Sequence, residues 1–111
     1  MSAAVGAAPV FDALGDPNRL RIVIGLCDAG PSSTSDVTQV IAMSRQATTK
    51  HLVLLEAAGL VSSNKQGRER IWTVQPRSLS AASDYLVALS DRWDRAIGRL
   101  RALVEEAEGQ A

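Results

Sequence analysis

The stretch "SRQATTKHLVLLEAAGLV", residues 44–61, decides the fold because its polar and apolar residues are separated along its length. Hydroxyl, amide and basic side chains fill seven of its first eight positions, whereas leucine and valine dominate from Leu52 until Gly59 stops the run. A helix that only filled a core would spread its apolar residues over its whole length. We therefore expect a helix that buries its C-terminal half and presents its N-terminal half to a polar partner.

The residues before this stretch predict three further helices. Phe11 to Leu14 predict a short first helix, preceded by a frayed lead-in over residues 1–10. Asp16-Pro17 is typical of a helix start. Ile22, Val23 and Leu26 give this second helix a buried stripe, and Gly30-Pro31 ends it. Residues 33–36 fit a capping box that opens a third helix. A turn near Ala42-Met43 then leads to Ser44, which we expect to cap the opening stretch.

The residues after it predict a hairpin and a long helix. "LVSSNK" and "RERIWTV" are strand-like runs that flank Gln66-Gly67, and Pro76 ends the second run. A helix is then expected from about Ser78 to Glu106, with a heptad-spaced apolar stripe widened by Ile97 and Val104. The stripe consists of Leu86, Leu89, Trp93, Ala96, Leu100 and Leu103. The predicted fold is mainly α with a small β-hairpin, in the order α-α-α-α-β-β-α.

Composition restricts the class of protein. The 111 residues and 46% hydrophobic content predict one folded domain over residues 1–111. No apolar run reaches the ~20 residues of a membrane span, and the N-terminus lacks the basic region of a signal peptide. Cys27 is the single cysteine and His51 the single histidine, which fits a reducing cytosol and is too little for a zinc finger. We expect a cytoplasmic protein without a membrane partner.

The net charge is zero, but positive charge is concentrated in the middle of the chain. Residues 45–80 contain six Lys or Arg against two Glu. Residues 1–44 carry two Arg against four Asp, and residues 81–111 carry four Arg against six acidic residues. A local basic region is the usual electrostatic signature of a nucleic-acid-binding surface.

Two helices joined by a short turn, the second rich in polar residues, indicate a helix-turn-helix. In that motif the second helix enters the DNA major groove with its N-terminal residues at the base edges. Arg45 could contact guanine with two hydrogen bonds, and Lys50 could contact a phosphate. The candidate DNA-contacting residues on this helix are Ser44, Arg45, Gln46, Thr48, Thr49, Lys50 and His51. Lys65, Arg68 and Arg70 on the hairpin suit flanking phosphates, which completes a winged helix.

Three segments of this chain resemble the ArsR-type winged-helix repressors: "ALGDPNRLRIV", "MSRQATTKHLVLLEAAGLV" and "GRERIWTV". The resemblance covers roughly Phe11 to Val74, and the long last helix extends it. It implies a cytoplasmic homodimer that pairs through its terminal helices, binds operator DNA and is released by an effector. By position, it places the DNA contacts at the front of the second motif helix and at Arg68. Ala42, Gln46, Thr48 and Thr49 depart from the usual pattern. The first two bear on the geometry of the turn, and the last two suggest a different operator preference.

The sensing residues of the resembled family are missing from the expected places. Residues 34–41 contain neither Cys nor His, and the last helix offers Asp84, Asp91 and Asp94 without His. Imidazole or thiolate ligands select zinc-like metals, so we expect no metal site and no cofactor. We expect Cys27 to be buried and inert rather than a redox switch. We expect His51 to be structural more than DNA-contacting, and Trp72 and Trp93 to be core or dimer-interface residues.

Three classes of function come into question for this sequence. The leading hypothesis is a homodimeric repressor that pairs through the Leu86–Leu103 stripe and reads a palindromic operator in double-stranded DNA. A winged-helix module that binds a protein partner, or a redox-responsive repressor acting through Cys27, are the alternatives. An enzyme is disfavoured because the sequence has no phosphate-binding loop and no nucleophile–base set. The operator and the effector are left open.

Overall fold

The computed structural model describes residues 2–109. The elements in chain order are α1 Ser2–Leu14, α2 Pro17–Ala29, β1 Ser32–Ser33, α3 Thr34–Ile41, α4 Arg45–Ala57, β2 Val61–Gln66, β3 Glu69–Val74 and α5 Pro76–Gly109. Four helices, a β-hairpin and a long last helix follow one another as the sequence predicts. The winged helix-turn-helix architecture is therefore confirmed, with corrections at α1, β1 and part of α2.

The helix starts are set by local hydrogen bonds, as predicted. The carboxylate of Asp16 accepts from the backbone N–H of Asn18 at 2.8 Å and of Arg19 at 3.1 Å, and Pro17 occupies the first helical position. The hydroxyl of Ser33 accepts from the backbone N–H of Asp36 at 3.1 Å. Each bond satisfies a donor that the helix itself leaves unpaired, so α2 and α3 begin where the sequence places them.

The first helix is longer than predicted. The expectation of a frayed lead-in over residues 1–10 is wrong, since α1 runs from Ser2 to Leu14; Met1 lies outside the described residues. Ala7, Val10 and Ala13 are buried at a spacing of three, which lines up one face of the helix. The small alanines allow a close approach to the rest of the molecule, and this packing supports a helix that local sequence alone does not reveal.

The core lies where α2, α3, α4 and the sheet meet. Leu52 and Leu55 of α4 are completely buried, as expected of its anchoring side. Trp72 on β3 is 2% exposed, which confirms its expected place in the core. The remaining buried apolar residues that form this cluster are Val10, Ala13, Ile22, Val23, Leu26, Val37, Ile41, Leu60, Val61 and Ala82.

The sheet has one strand more than predicted. β2 and β3 form the expected antiparallel hairpin, and β1 pairs with the other edge of β3 through Ser32↔Trp72 and Ser33↔Ile71. β1 contains two residues, too few for an apolar alternation to show in the sequence. The short strand ties the start of α3 to the root of the hairpin.

The last helix extends beyond its predicted limits of Ser78 and Glu106. It starts at Pro76 because proline is well tolerated at the first helical position, and it continues to Gly109. The ring of Tyr85 lies 5.8 Å from the ring of Phe11, so α1 packs on the first part of α5. Within residues 2–109 no helix combines the length and the apolarity needed to cross a bilayer.

The expectation that Cys27 is buried is wrong. Cys27 is exposed, together with Leu20 and Ile24, which precede it by seven and three residues on the same face of α2. The core-facing side of α2 is formed instead by Ile22, Val23 and Leu26. The buried stripe of α2 thus forms as predicted, and Cys27, one residue after Leu26, is turned about 100° away from that residue around the helix.

Candidate nucleic-acid interface

The turn between α3 and α4 gives the second motif helix its direction. Ala42 adopts the left-handed conformation, with φ 54°, and its N–H donates to Thr38 O at 3.1 Å. The hydroxyl of Ser44 then accepts from the backbone N–H of Ala47 at 3.1 Å and caps α4. Alanine thus occupies a backbone conformation that usually selects glycine, so the turn forms despite that departure from the family pattern.

The outward face of α4 carries most of the polar side chains expected at a DNA interface. Gln46, Thr49 and Lys50 are all exposed, and Ser44 is exposed at the helix start. The hydroxyl of Thr49 donates to Arg45 O at 2.9 Å, which leaves its oxygen lone pairs free to accept. The first turn of the helix also presents unpaired backbone N–H groups, which favour a nearby phosphate.

Arg45 is partly engaged within the protein. Its Nη1 donates to the hydroxyl of Ser35 in the first turn of α3 at 2.9 Å. A guanidinium has five N–H donors in a planar fork, so this bond leaves others available. The contact links the first turns of the two motif helices and holds the Arg45 guanidinium beside α3.

The assignment of a DNA contact to Thr48 is wrong. Thr48 is completely buried, and its hydroxyl donates to Ser44 O at 2.9 Å. The hydroxyl therefore has its hydrogen-bond partner within the helix, and the methyl group can pack against the apolar core.

His51 lies at the edge of the buried side of α4. It is half-buried, and it follows the buried Thr48 by three residues and precedes the buried Leu55 by four, spacings that place the three on one side of the helix. Its Nδ1 is buried without a hydrogen-bond partner in the described part of the chain. A structural role agrees with this position, and the DNA contact assigned to His51 stays a prediction.

The hairpin presents its basic residues at its outer end. Gly67, with φ 63°, and Arg68 form the turn between β2 and β3. Lys65 and Arg70 are directly opposite each other across the strands, and both are exposed. Like charges in opposite positions repel, so an anion placed between them would stabilise the pair. Lys65, Arg68 and Arg70 thus form one basic tip.

A hydrogen-bond chain connects this tip to α4. The Nη1 of Arg70 donates to the hydroxyl of Ser63 at 2.9 Å, and that hydroxyl donates to the Glu56 carboxylate at 2.6 Å. Ser63 and Arg70 share a face of the hairpin because Ser63 pairs with Trp72 and Lys65 with Arg70. Sequence reasoning missed Glu56 and Ser63, since no spacing signal connects a helix end to the middle of the following strand.

The root of the hairpin is fixed in the core. The indole Nε1 of Trp72 donates to Thr34 Oγ1 at 2.8 Å, and both residues are buried. A buried indole N–H without an acceptor would be costly, so the bond holds β3 at one position against the start of α3. The wing is thereby positioned relative to the helix-turn-helix.

The predicted stripe on α5 faces outward. Leu86 is 50% exposed, Leu89 44%, Trp93 67%, Ile97 39%, Leu100 59% and Leu103 62%. Ala96 is half-buried, and Val104, which widens the stripe, is 56% exposed. No element in the described part of the chain covers this row of apolar side chains. Such a large contiguous apolar surface is typical of an interface.

The described residues also bear on metal binding. Among residues 2–109, no three His, Cys, Asp or Glu side chains lie close enough together to hold a metal ion. Asp84, Asp91 and Asp94 of α5 are exposed.

The chain is similar to known transcriptional regulators. The family model described as a helix-turn-helix domain matches residues 14–64. The HTH-type transcriptional regulator Rv2034 of Mycobacterium tuberculosis is 31% identical over 96 residues, which is 86% of this chain and 85% of that protein. The structure of an ArsR-like transcriptional regulator from Rhodococcus sp. RHA1 superposes with a TM-score of 0.78 at 33% identity, covering 93% of this chain and 96% of that one.

A second similar structure shares the fold at lower identity. It is the homodimeric winged helix-turn-helix DNA-binding domain Mb0332 of Mycobacterium bovis, with a TM-score of 0.65 at 19% identity over 81% of this chain and 83% of that one. Rv2034 matches the chain in sequence over most of its length, and the Rhodococcus protein matches it in both sequence and fold over nearly its whole length. The chain therefore belongs to the ArsR-like family of helix-turn-helix proteins, and it is a DNA-binding transcriptional regulator.

Proposed function

We propose that the protein is a homodimeric repressor whose two copies of α4 read a palindromic operator. The observation that carries the proposal is the exposed apolar stripe on α5, because a second copy is the partner that would cover it. A two-fold dimer presents the same surface twice, so a stripe on one helix can pair with itself. The homodimeric state of the Mycobacterium bovis domain of the same fold supports this arrangement.

The two reading surfaces would then contact DNA as one unit. Gln46, Thr49 and Lys50 would face the major groove, with Ser44 and Arg45 at its edge. The basic tip would contact phosphates that flank each half-site, since exposed positive charges attract the phosphate backbone. A dimer places the two half-sites about one helical turn apart, or a multiple of it, and this spacing requires a palindrome.

We infer further that the protein acts in the cytoplasm and lacks the metal sites of its family. Residues 34–41 contain no Cys or His, and α5 contains no His. An effector, if one acts on this protein, would then be recognised by other chemistry.

The test is fluorescence anisotropy of a labelled duplex from the region upstream of its own gene, compared with a scrambled duplex at two salt concentrations. Tight binding to the native duplex, weakened by salt, supports the proposal, because each neutralised phosphate contributes about −0.9 to the log–log slope. Equal weak binding to both duplexes would contradict an operator in that region. No binding at low salt would favour the winged-helix module that binds a protein partner.

Two variants separate base reading from phosphate contact. Arg45→Ala should lose preference for the native duplex over the scrambled one. Arg68→Ala should weaken binding to both duplexes by a similar factor, since phosphates carry no sequence information. If both variants bind like the wild type, the assigned reading surface is wrong.

The exposure of Cys27 favours one second candidate, a repressor that responds to oxidation. An accessible thiol can be oxidised, whereas a buried one is protected. Hydrogen peroxide should then release the wild type from its duplex and leave Cys27→Ser bound. Equal release of both proteins would exclude Cys27 as the switch.

A further inference from the structure

Val53 is an apolar residue on the outward face of α4. It is 51% exposed and follows Gln46 by seven residues, Thr49 by four and Lys50 by three. Residues at these spacings lie on one face of an α-helix. Val53 therefore lies among the polar side chains that would face DNA and does not belong to the buried side.

Packing in the core does not explain why an apolar residue occupies position 53. The buried side of α4 consists of Thr48, Leu52 and Leu55. Leu54, which is exposed to almost the same extent at 52%, has a different surrounding, since it also lines a depression with Pro9 and Ala13 of α1. The prediction that the C-terminal half of α4 is buried is thus wrong at Val53 and Leu54. Val53 lies between Thr49 and Lys50 on the outward face, whereas Leu54 borders Lys50 and Val53 at the flank of this face that is nearest α1.

We propose that Val53 contacts the methyl group of a thymine in each half-site. The major-groove edge of thymine carries a C5-methyl, and small apolar side chains are what recognise it. The methyl groups of valine can bury that methyl without taking a hydrogen-bond partner away from a base. This inference rests on the proposed placement of α4 in the major groove, and it adds a thymine preference to it.

The test begins with selection of duplexes from a randomised pool by the wild type and by Val53→Ala. The wild type should enrich thymine at one position of each half-site, and the variant should not. Alanine favours a helix and Val53 is exposed, so the variant should fold. In the selected duplex, replacing that thymine with deoxyuridine removes only the methyl group. The wild type should then bind about fourfold more weakly per modified half-site, the equivalent of ~0.8 kcal/mol for one buried carbon.

Leu54→Ala is the matched control, because it truncates an equally exposed neighbour that lies at the flank of this face, towards α1. Its penalty for deoxyuridine should equal that of the wild type. The proposal is overturned if deoxyuridine leaves wild-type affinity unchanged at every position, if Val53→Ala keeps the full penalty, or if Leu54→Ala loses it as well. Failure to retain any duplex would instead overturn the proposed DNA-binding surface itself.

Discussion

Truncation of Trp93 should dissociate the proposed dimer. Trp93 is 67% exposed within one chain, and a tryptophan buries at most about 250 Å². About 170 Å² is thus available to a partner, worth ~4 kcal/mol per protomer if it is fully covered. Alanine would still bury part of this area, and the edge of the indole ring would stay exposed to solvent. We therefore take about half of that free energy, ~2 kcal/mol per protomer. Trp93→Ala should then destabilise the dimer by ~4 kcal/mol in total, which raises its dissociation constant roughly a thousandfold.

Sedimentation equilibrium over a range of protein concentrations measures this constant directly. Arg95→Ala is the control, since Arg95 is exposed and lies about half a turn away from Trp93 on α5. The control should dimerise nearly as the wild type does, because truncation of a solvated side chain removes little buried area. A Trp93→Ala dimer within a few-fold of the wild type would refute the assignment of this stripe to the interface. So would a wild type that stays monomeric.

Three further changes test other parts of the structure. Thr34→Val leaves the buried indole N–H of Trp72 without an acceptor and should lower the free energy of unfolding by about 1–3 kcal/mol, measured by urea denaturation. Asp16→Asn keeps a cap acceptor but removes a titrating group whose pKa the N–H of Arg19 lowers. The stability from Asp16 is present at neutral pH and is lost as the pH falls through its lowered pKa, so the variant should show a shallower acid dependence by circular dichroism. Lys65→Gln should reduce the salt slope of DNA binding by about 0.9 if Lys65 contacts one phosphate, and an unchanged slope would place Lys65 off the DNA.

Features that depend on neighbouring residues could be predicted from the sequence. The caps at Asp16, Ser33 and Ser44 form as expected, because each requires only a side-chain acceptor and a backbone N–H two or three residues away. The hairpin turn at Gly67 is similarly local. The heptad spacing of α5 identified its apolar face correctly, since a long helix repeats the same signal many times.

Features that depend on distant packing could not be predicted. Leu26 of α2 is buried as expected, but whether the neighbouring Cys27 is covered as well depends on where the other elements pack against α2. The bond between Trp72 and Thr34 joins residues 38 positions apart. Val53 follows directly after Leu52, and the local sequence does not show that one is exposed while the other is buried.

The first turn of α3 connects the parts that would touch DNA. Thr34 accepts from Trp72 at the root of the wing, and Ser35 accepts from Arg45 at the start of α4. A substitution in this turn should therefore alter folding stability and base preference together. A substitution on the exposed stripe of α5, such as Trp93→Ala, should weaken operator binding through dimerisation alone and leave the base preference of each half-site unchanged. The measured affinity for a palindrome contains both free energies, and half-site preference compared with dimer dissociation separates them.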